Sequence, residues 1–261
     1  MKEYPILFSA EMVKAILEDH KTQTRRVMKP QPSIDFSPIA VEWYAPIVVD
    51  RNGEEQPGSE IFGVYGDDEG YRCPYGAPGD VLWVREAWDF RHWSEPGNPF
   101  RVMVSYGADG FQKLCQSPHD WNPMLYNQPR WRPSIHMPRW ACRIELEIIS
   151  VRVERVQEIT RNDAKAEGVS GVWRNPPEKE EHYQRVLLNP YIANYSVLWD
   201  EINAERGFGW NVNPFVWVIE FKRRGITQLA PDAWESAPLE ALSTPEHSAT
   251  SQNLSTPTKR G

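Results

Sequence analysis

The stretch RIELEIISVRVERV, residues 143–156, constrains the fold of this chain more than any other segment. Ile144, Leu146 and Ile148 alternate with Arg143, Glu145 and Glu147, and after a shift at Ile149 and Ser150 the alternation resumes with Val151, Val153 and Val156. Period two sends successive side chains to opposite faces, which predicts a long strand with one face in a core and the other in water. A second strand is predicted at FVWVIEF, residues 215–221, whose unbroken apolar run fits a central position covered on both faces.

Other elements are shorter. PILF (residues 5–8) reads as a buried strand, and Ser9 caps a helix presenting Met12, Val13, Ile16 and Leu17 on one face and ending near His20. Gly79 and Asp80 turn into a strand over Val81–Val84, and RVMVSY (residues 101–106) is a further strand. Thr160 and Asp163 form a capping box for a short helix that stops at Gly168. Asn189 and Pro190 start a longer helix, with Ile192, Tyr195, Leu198, Trp199 and Ile202 on one face, that stops at Gly207. Strands and helices do not alternate regularly, so a doubly wound sheet is excluded in favour of an α+β fold: a mainly antiparallel β-barrel with flanking helices.

Composition bounds the function classes. At 261 residues with 40% hydrophobic content the chain supports one sizeable core. No apolar run is long enough to span a membrane and no long apolar leader is visible at the start, so a cytoplasmic protein without a membrane partner is expected. Cys73, Cys115 and Cys142 form no close pair, and neither metal-ligand spacing nor a Gly-rich phosphate loop occurs; no metal and no cofactor are expected. The net charge of -7 is concentrated in residues 42–69, which hold eight acidic residues against one basic. Residues 42–69 are expected to be dispensable for folding and lie in a loop-rich insertion at about 30–78; a second insertion spans about 89–135. From about residue 227 onward the composition predicts a disordered tail, leaving 1–226 as a single domain.

Two clusters carry chemistry. Residues 121–144 hold Arg130, Arg132, Arg139 and Arg143 and no acid, interleaved with Trp121, Tyr126, Trp131 and Trp140. Arginine with aromatics suits phosphate contact and base stacking, and equally a Trp-rich core with arginine stems packed over it. The other cluster is KTQTRR, residues 21–26, where a helix ends in Lys21, Thr24, Arg25 and Arg26.

KTQTRR, GDVLWVREAW (79–88), VQEITRNDAKAEGV (156–169) and FVWVIEF occur in an order that resembles the ASCH domain, a branch of the PUA-like β-barrels; the long form with two insertions resembles phage and prophage members. The resemblance covers roughly residues 4–29, 78–88 and 136–222. It implies a cleft facing RNA or a modified nucleoside. Small bacterial members similar to this domain are amidohydrolases that deacetylate N(4)-acetylcytidine, and their lysine, threonine and glutamate fall on Lys21, Thr24 and Glu167, with a further arginine on Arg26. Gln23 and Arg25 stand where apolar residues are expected in the small enzymes.

The implied chemistry needs a lysine whose pKa is brought down by desolvation or by neighbouring positive charge, which Arg25 and Arg26 supply, and a carboxylic acid, Glu167, to deliver a proton or orient the water. Lys21 and Thr24 converge only if the chain turns at residues 20–23. Neither Lys21 nor Glu167 is expected in the core. Taken without the resemblance, Lys21, Thr24 and Glu167 fit a solvated helix-end cation, an ordinary strand threonine and a surface carboxylate. The leading expectation is a hydrolase of a nucleoside amide, with a ribonuclease in the same class. The alternatives are a non-catalytic RNA-binding module, in which Lys21, Arg25 and Arg26 meet phosphate, Trp131 or Trp140 stacks a base and Arg130 and Arg132 add to RNA affinity, and a phage accessory protein that binds a host protein through its acidic insertion.

Overall fold

The computed structural model describes residues 1–93, 101–119, 121, 130–172 and 189–225, all within one compact unit, Met1–Ile226. The tail expected from residue 227, and Tyr126, lie outside the described residues.

The fold is α+β. In chain order its elements are β1 (Glu3–Leu7), α1 (Ala10–Leu17), β2 (Gln23–Val27), β3 (Ala40–Tyr44), β4 (Ile47–Val49), β5 (Glu55–Pro57), β6 (Ile61–Tyr65), β7 (Gly70–Arg72), β8 (Val81–Arg85) and β9 (Trp88–Trp93), then β10 (Arg101–Tyr106), β11 (Gln112–Gln116), β12 (Glu145–Arg155), α2 (Arg161–Ala166), α3 (Pro190–Asn203) and β13 (Phe215–Arg223). No helix among the described residues is long and apolar enough to cross a membrane.

The central sheet has the order β1-β8-β12-β13-β2, so the three strongest strand signals of the sequence are neighbours. Only β1 and β8 pair in parallel; the other pairs are antiparallel. The shift foreseen at Ile149 is an irregularity between Ile148 and Ser150 in the β12–β13 register, the kind of extra residue that bends a strand and increases its twist. β1 and β2 are the sheet's two edges in the strand order, so its hydrogen bonding leaves it open where a closed barrel was expected.

Both faces of β13 are covered, which is why its sequence is apolar throughout. Trp217, Ile219 and Phe221 pack with Val13 and Ile16 of α1 in the main core, whereas Val216 and Val218 pack on the other side with Ala164, Tyr195 and Trp199 of α2 and α3. The helix signals hold: Ser9 accepts from the Met12 amide, Thr160 and Asp163 close a capping box, and Asn189 accepts from Tyr191 and Ile192. α1 ends at Leu17, earlier than His20, and α3 ends at Asn203, with a 3-10 turn carrying the chain to Gly207.

Both expected insertions hold regular structure. Residues 40–72 form a three-stranded sheet, β3-β6-β7, and an exposed ribbon, β4–β5. Phe36, Phe62, Val64 and Cys73 join the main core, so the first insertion is not the dispensable loop expected from its acidity. Its strands are short and their apolar residues are scattered among Gly and acids, which hides the period at short range. In the second, β9, β10 and β11 form an antiparallel sheet around a separate cluster of Trp88, Phe90, Val102, Val104 and Tyr106.

Candidate functional site

β2 is an edge strand, and a cleft of about 410 Å³ straddles its free side. Its register against β13 places Thr24 opposite Ile219 and Arg26 opposite Trp217, on the α1 side of the sheet, and Arg25 opposite Val218, on the α2–α3 side. Thr24, Arg25, Arg26 and Glu167 line the cleft with Tyr75, Tyr195, Leu198, Trp199, Lys29 and Phe208.

The chain turns before β2 at Glu18 and Asp19, earlier than the expected residues 20–23. Asp19 adopts a left-handed backbone (φ 57°), and the amides of His20 and Lys21 both donate to the Ala15 carbonyl. Lys21 then pairs as an isolated bridge with Glu167, the C-cap of α2. Gly168 makes the approach possible: its φ is +85°, and a Cβ there would stand 3.0 Å from the Ala15 Cβ and 3.1 Å from the Lys21 Cβ. A side chain at residue 168 would push Lys21 off Glu167.

Lys21 Nζ donates to Glu167 Oε2 at 2.7 Å and to the Glu167 carbonyl at 2.9 Å, with the Phe8 ring centroid 5.7 Å away. Lys21 itself does not line the cleft; Glu167 stands between the amine and the open space. Burial lowers the Lys21 pKa below the ordinary lysine range, Glu167 opposes that, and Arg26 and Arg25 add to it. Of the two causes expected, desolvation is the larger and the two arginines the smaller.

Both terminal nitrogens of Arg25 are engaged, while its Nε is buried without a partner. Its Nη2 reaches Glu154 at 2.8 Å and Asp163 at 3.4 Å, and its Nη1 reaches Glu167 at 3.4 Å. The Gln23 carboxamide, assigned from its partners, donates to Asp163 Oδ1 at 3.1 Å and accepts from Arg25 Nη1. Arg152 extends the lattice to Asp163 at 2.8 Å and to Glu154 and Glu220. The face of β12 read as wet is therefore a layer of paired charge, half-buried beneath α2. Burial works against the charge on Asp163, but the Thr160 hydroxyl and amide, then Arg25 and Arg152, more than offset it and hold the carboxyl down at about 2. Arg26 donates to the Leu7 carbonyl at 2.6 Å and lies 5.0 Å from the Phe8 ring centroid; its Nε is buried without a partner.

No family model, no curated protein and no solved structure matches this chain. The site is therefore judged on its own geometry.

That geometry places Thr24, Arg25, Arg26 and Glu167 on one cleft, with Lys21 joined to it through Glu167, and leaves the other candidates elsewhere. Arg132 is buried, paired with Asp89 at 3.1 Å and 4.4 Å from the Phe90 ring centroid, so it serves packing and not phosphate. Trp140 packs edge-on against Trp88 and Trp121 in the second cluster, which takes its ring away from stacking on a base. Arg139 and Arg143 are likewise paired with acids. Arg130 and Trp131 remain exposed, and neither lines the cleft. Of the two explanations open for that segment, the aromatic core with arginines over it holds for Arg132, Arg139, Arg143 and Trp140.

Reading the sequence missed Lys29, Tyr75, Arg206 and Phe208 as lining residues and took Tyr195 and Trp199 for core alone. Nothing in local periodicity distinguishes a helix face that packs on a sheet from one that also walls a cleft. The alternating Arg152–Glu154 pair was the one visible signal of the charge lattice.

Proposed function

We propose that this chain is an ASCH-type, PUA-like domain that hydrolyses an acylated nucleoside amide, of which N(4)-acetylcytidine is the type. The observation that carries the proposal is the Glu167 carboxylate on the cleft wall, held at 2.7 Å by a desolvated Lys21 amine, with Thr24 lining the same space. The order of elements supports the family assignment: KTQTRR leads into an edge strand, and the short helix carrying Glu167 follows the long strand β12.

In this mechanism a water held at the Thr24 hydroxyl adds to the acyl carbonyl carbon as its proton passes to the Glu167 carboxylate. The Arg26 guanidinium, on the cleft lining, offers a donor for the oxyanion. Glu167 then returns the proton to the exocyclic nitrogen as the C–N bond breaks, releasing acetate and cytidine. Lys21, behind Glu167, is a positioning residue: it fixes the carboxylate's orientation and, through its own lowered pKa, the balance of the shared proton.

The test is incubation of the purified protein with N(4)-acetylcytidine and chromatography of the products. Cytidine should appear with the wild type. Thr24→Val, which keeps shape and loses the hydroxyl, should cut kcat by about a hundredfold or more. Absence of turnover on a panel of N-acylated nucleosides, with short RNAs bound through Arg130 and Trp131, would transfer the assignment to the RNA-binding module. The exposed ring of Trp131 beside Arg130 is the observation favouring that second reading.

A further inference from the structure

We propose that the cleft is built for a phosphorylated nucleotide, with Lys29 and Arg206 forming a phosphate subsite at its rim. The proposal rests on the nucleoside reading of the inner cleft and specifies its substrate class: a pyrimidine nucleoside monophosphate in place of a free nucleoside.

Charge within the cleft is lopsided. Its lining residues include Arg25, Arg26, Lys29 and Arg206 against a single carboxylate, Glu167, in a chain of net charge -7. The two inner arginines have work already: Arg25 is matched by Glu154, Asp163 and Glu167, and Arg26 holds the Leu7 carbonyl over Phe8. Lys29 and Arg206 differ, since both are exposed and neither forms an ion pair among the described residues. They come from distant segments, the end of β2 and the turn after α3, and meet at one opening.

A structural explanation covers only one of them. Arg206, just past the C-terminus of α3, is favourable to the helix dipole by itself. Lys29 belongs to no helix; its Nζ lies 5.2 Å from the ring centroid of Phe208, which lines the same cleft as Lys29 and Arg206. Two cations brought together without a counter-charge repel each other unless an anion joins them.

Size agrees. At about 410 Å³ the cleft lies within the range of roughly 300–1,000 Å³ typical of small-molecule sites. Tyr75, Tyr195, Leu198 and Trp199 give the inner part aromatic and apolar walls suited to a base, and the rim cations are where a 5′-phosphate on that base's ribose would emerge. A lysine and an arginine together supply charge-assisted hydrogen bonds to phosphate oxygens.

Calorimetric titration with cytidine, cytidine 5′-monophosphate and a short single-stranded RNA tests the proposal without an acyl group, and therefore without turnover. The monophosphate is expected to bind about tenfold or more tightly than cytidine at low salt, and less so as salt rises. Lys29→Gln/Arg206→Gln should bring the two affinities together while leaving cytidine binding and the thermal midpoint unchanged, both side chains being exposed. Equal affinities in the wild type, or a preference for monophosphate that survives the double substitution, would overturn the subsite. Tighter binding of the RNA than of the monophosphate, lost in the same variant, would overturn the mononucleotide assignment. Failure of the hydrolase reading shows differently, as absence of cytidine release from acylated substrates whatever the monophosphate affinity.

Discussion

Lys21 Nζ lies 2.7 Å from Glu167 Oε2 and 2.9 Å from the Glu167 carbonyl oxygen, so one side chain ties the end of α2 to the entry of β2 by both carboxylate and backbone. With Lys21 2% exposed and Glu167 5% exposed, both charges are largely withdrawn from bulk water and each is the other's main partner. This corrects the expectation that the two residues stand outside the core. Lys21→Met or Glu167→Gln is expected to cost about 3 kcal/mol, because each leaves a buried partner without its counter-charge. The double variant Lys21→Met/Glu167→Leu should recover part of that loss. Urea unfolding of the three variants measures it, and additive losses would mean the pair is not energetically coupled.

Acid should act through Asp163. The unfolded carboxyl takes up its proton near 3.8 and the folded one only near 2. Between those values the unfolded state binds more protons, so stability falls as pH falls. The contribution is fully present above 3.8 and is lost as pH drops through about 2. The difference in unfolding free energy between wild type and Asp163→Asn should therefore shrink over that interval. A constant difference would locate the acid sensitivity elsewhere.

The acidic segment divides into a part that matters to the core and a part that does not. Val64 is fully buried in the main core, and Val64→Ala should cost about 2 kcal/mol. Replacing the exposed ribbon Ile47–Pro57 by a short Gly-Ser turn should leave the thermal midpoint within a few degrees. Deleting all of residues 42–69 should unfold the protein, since it removes Phe62 and Val64 together.

Arg132→Ala should destabilise the second cluster by about 3 kcal/mol through the stranded Asp89 carboxylate and the lost cover over Phe90. RNA affinity, if measurable, should not change beyond the effect of unfolding. Near-ultraviolet circular dichroism reads this cluster directly, because Trp88, Phe90, Trp121 and Trp140 are in mutual ring contact. An unaltered spectrum and midpoint would remove Arg132 from the core.

What the sequence determined by itself was whatever short-range chemistry dictates. The alternation of Ile144 to Val156 made β12 and even marked its irregularity at Ile149, the run at 215–221 made a strand covered twice, and Ser9, Thr160 and Asn189 each capped the helix they precede. Those signals need only the pleat of a strand or the unpaired amides of a helix start. Lys21, Thr24 and Glu167 were singled out by resemblance, but their burial was not legible, because a lysine in a KTQTRR string reads as solvated until a distant glutamate closes over it. The tertiary structure alone decided that Arg25 is neutralised by three carboxylates from β12 and α2, that Arg132 is packing, and that Lys29 and Arg206 share an opening. Each of these depends on segments far apart in the chain, 43 residues for Arg132 and Asp89 and 129 for Arg25 and Glu154, and a side chain's charge state follows from the desolvation and counter-charges that such packing supplies.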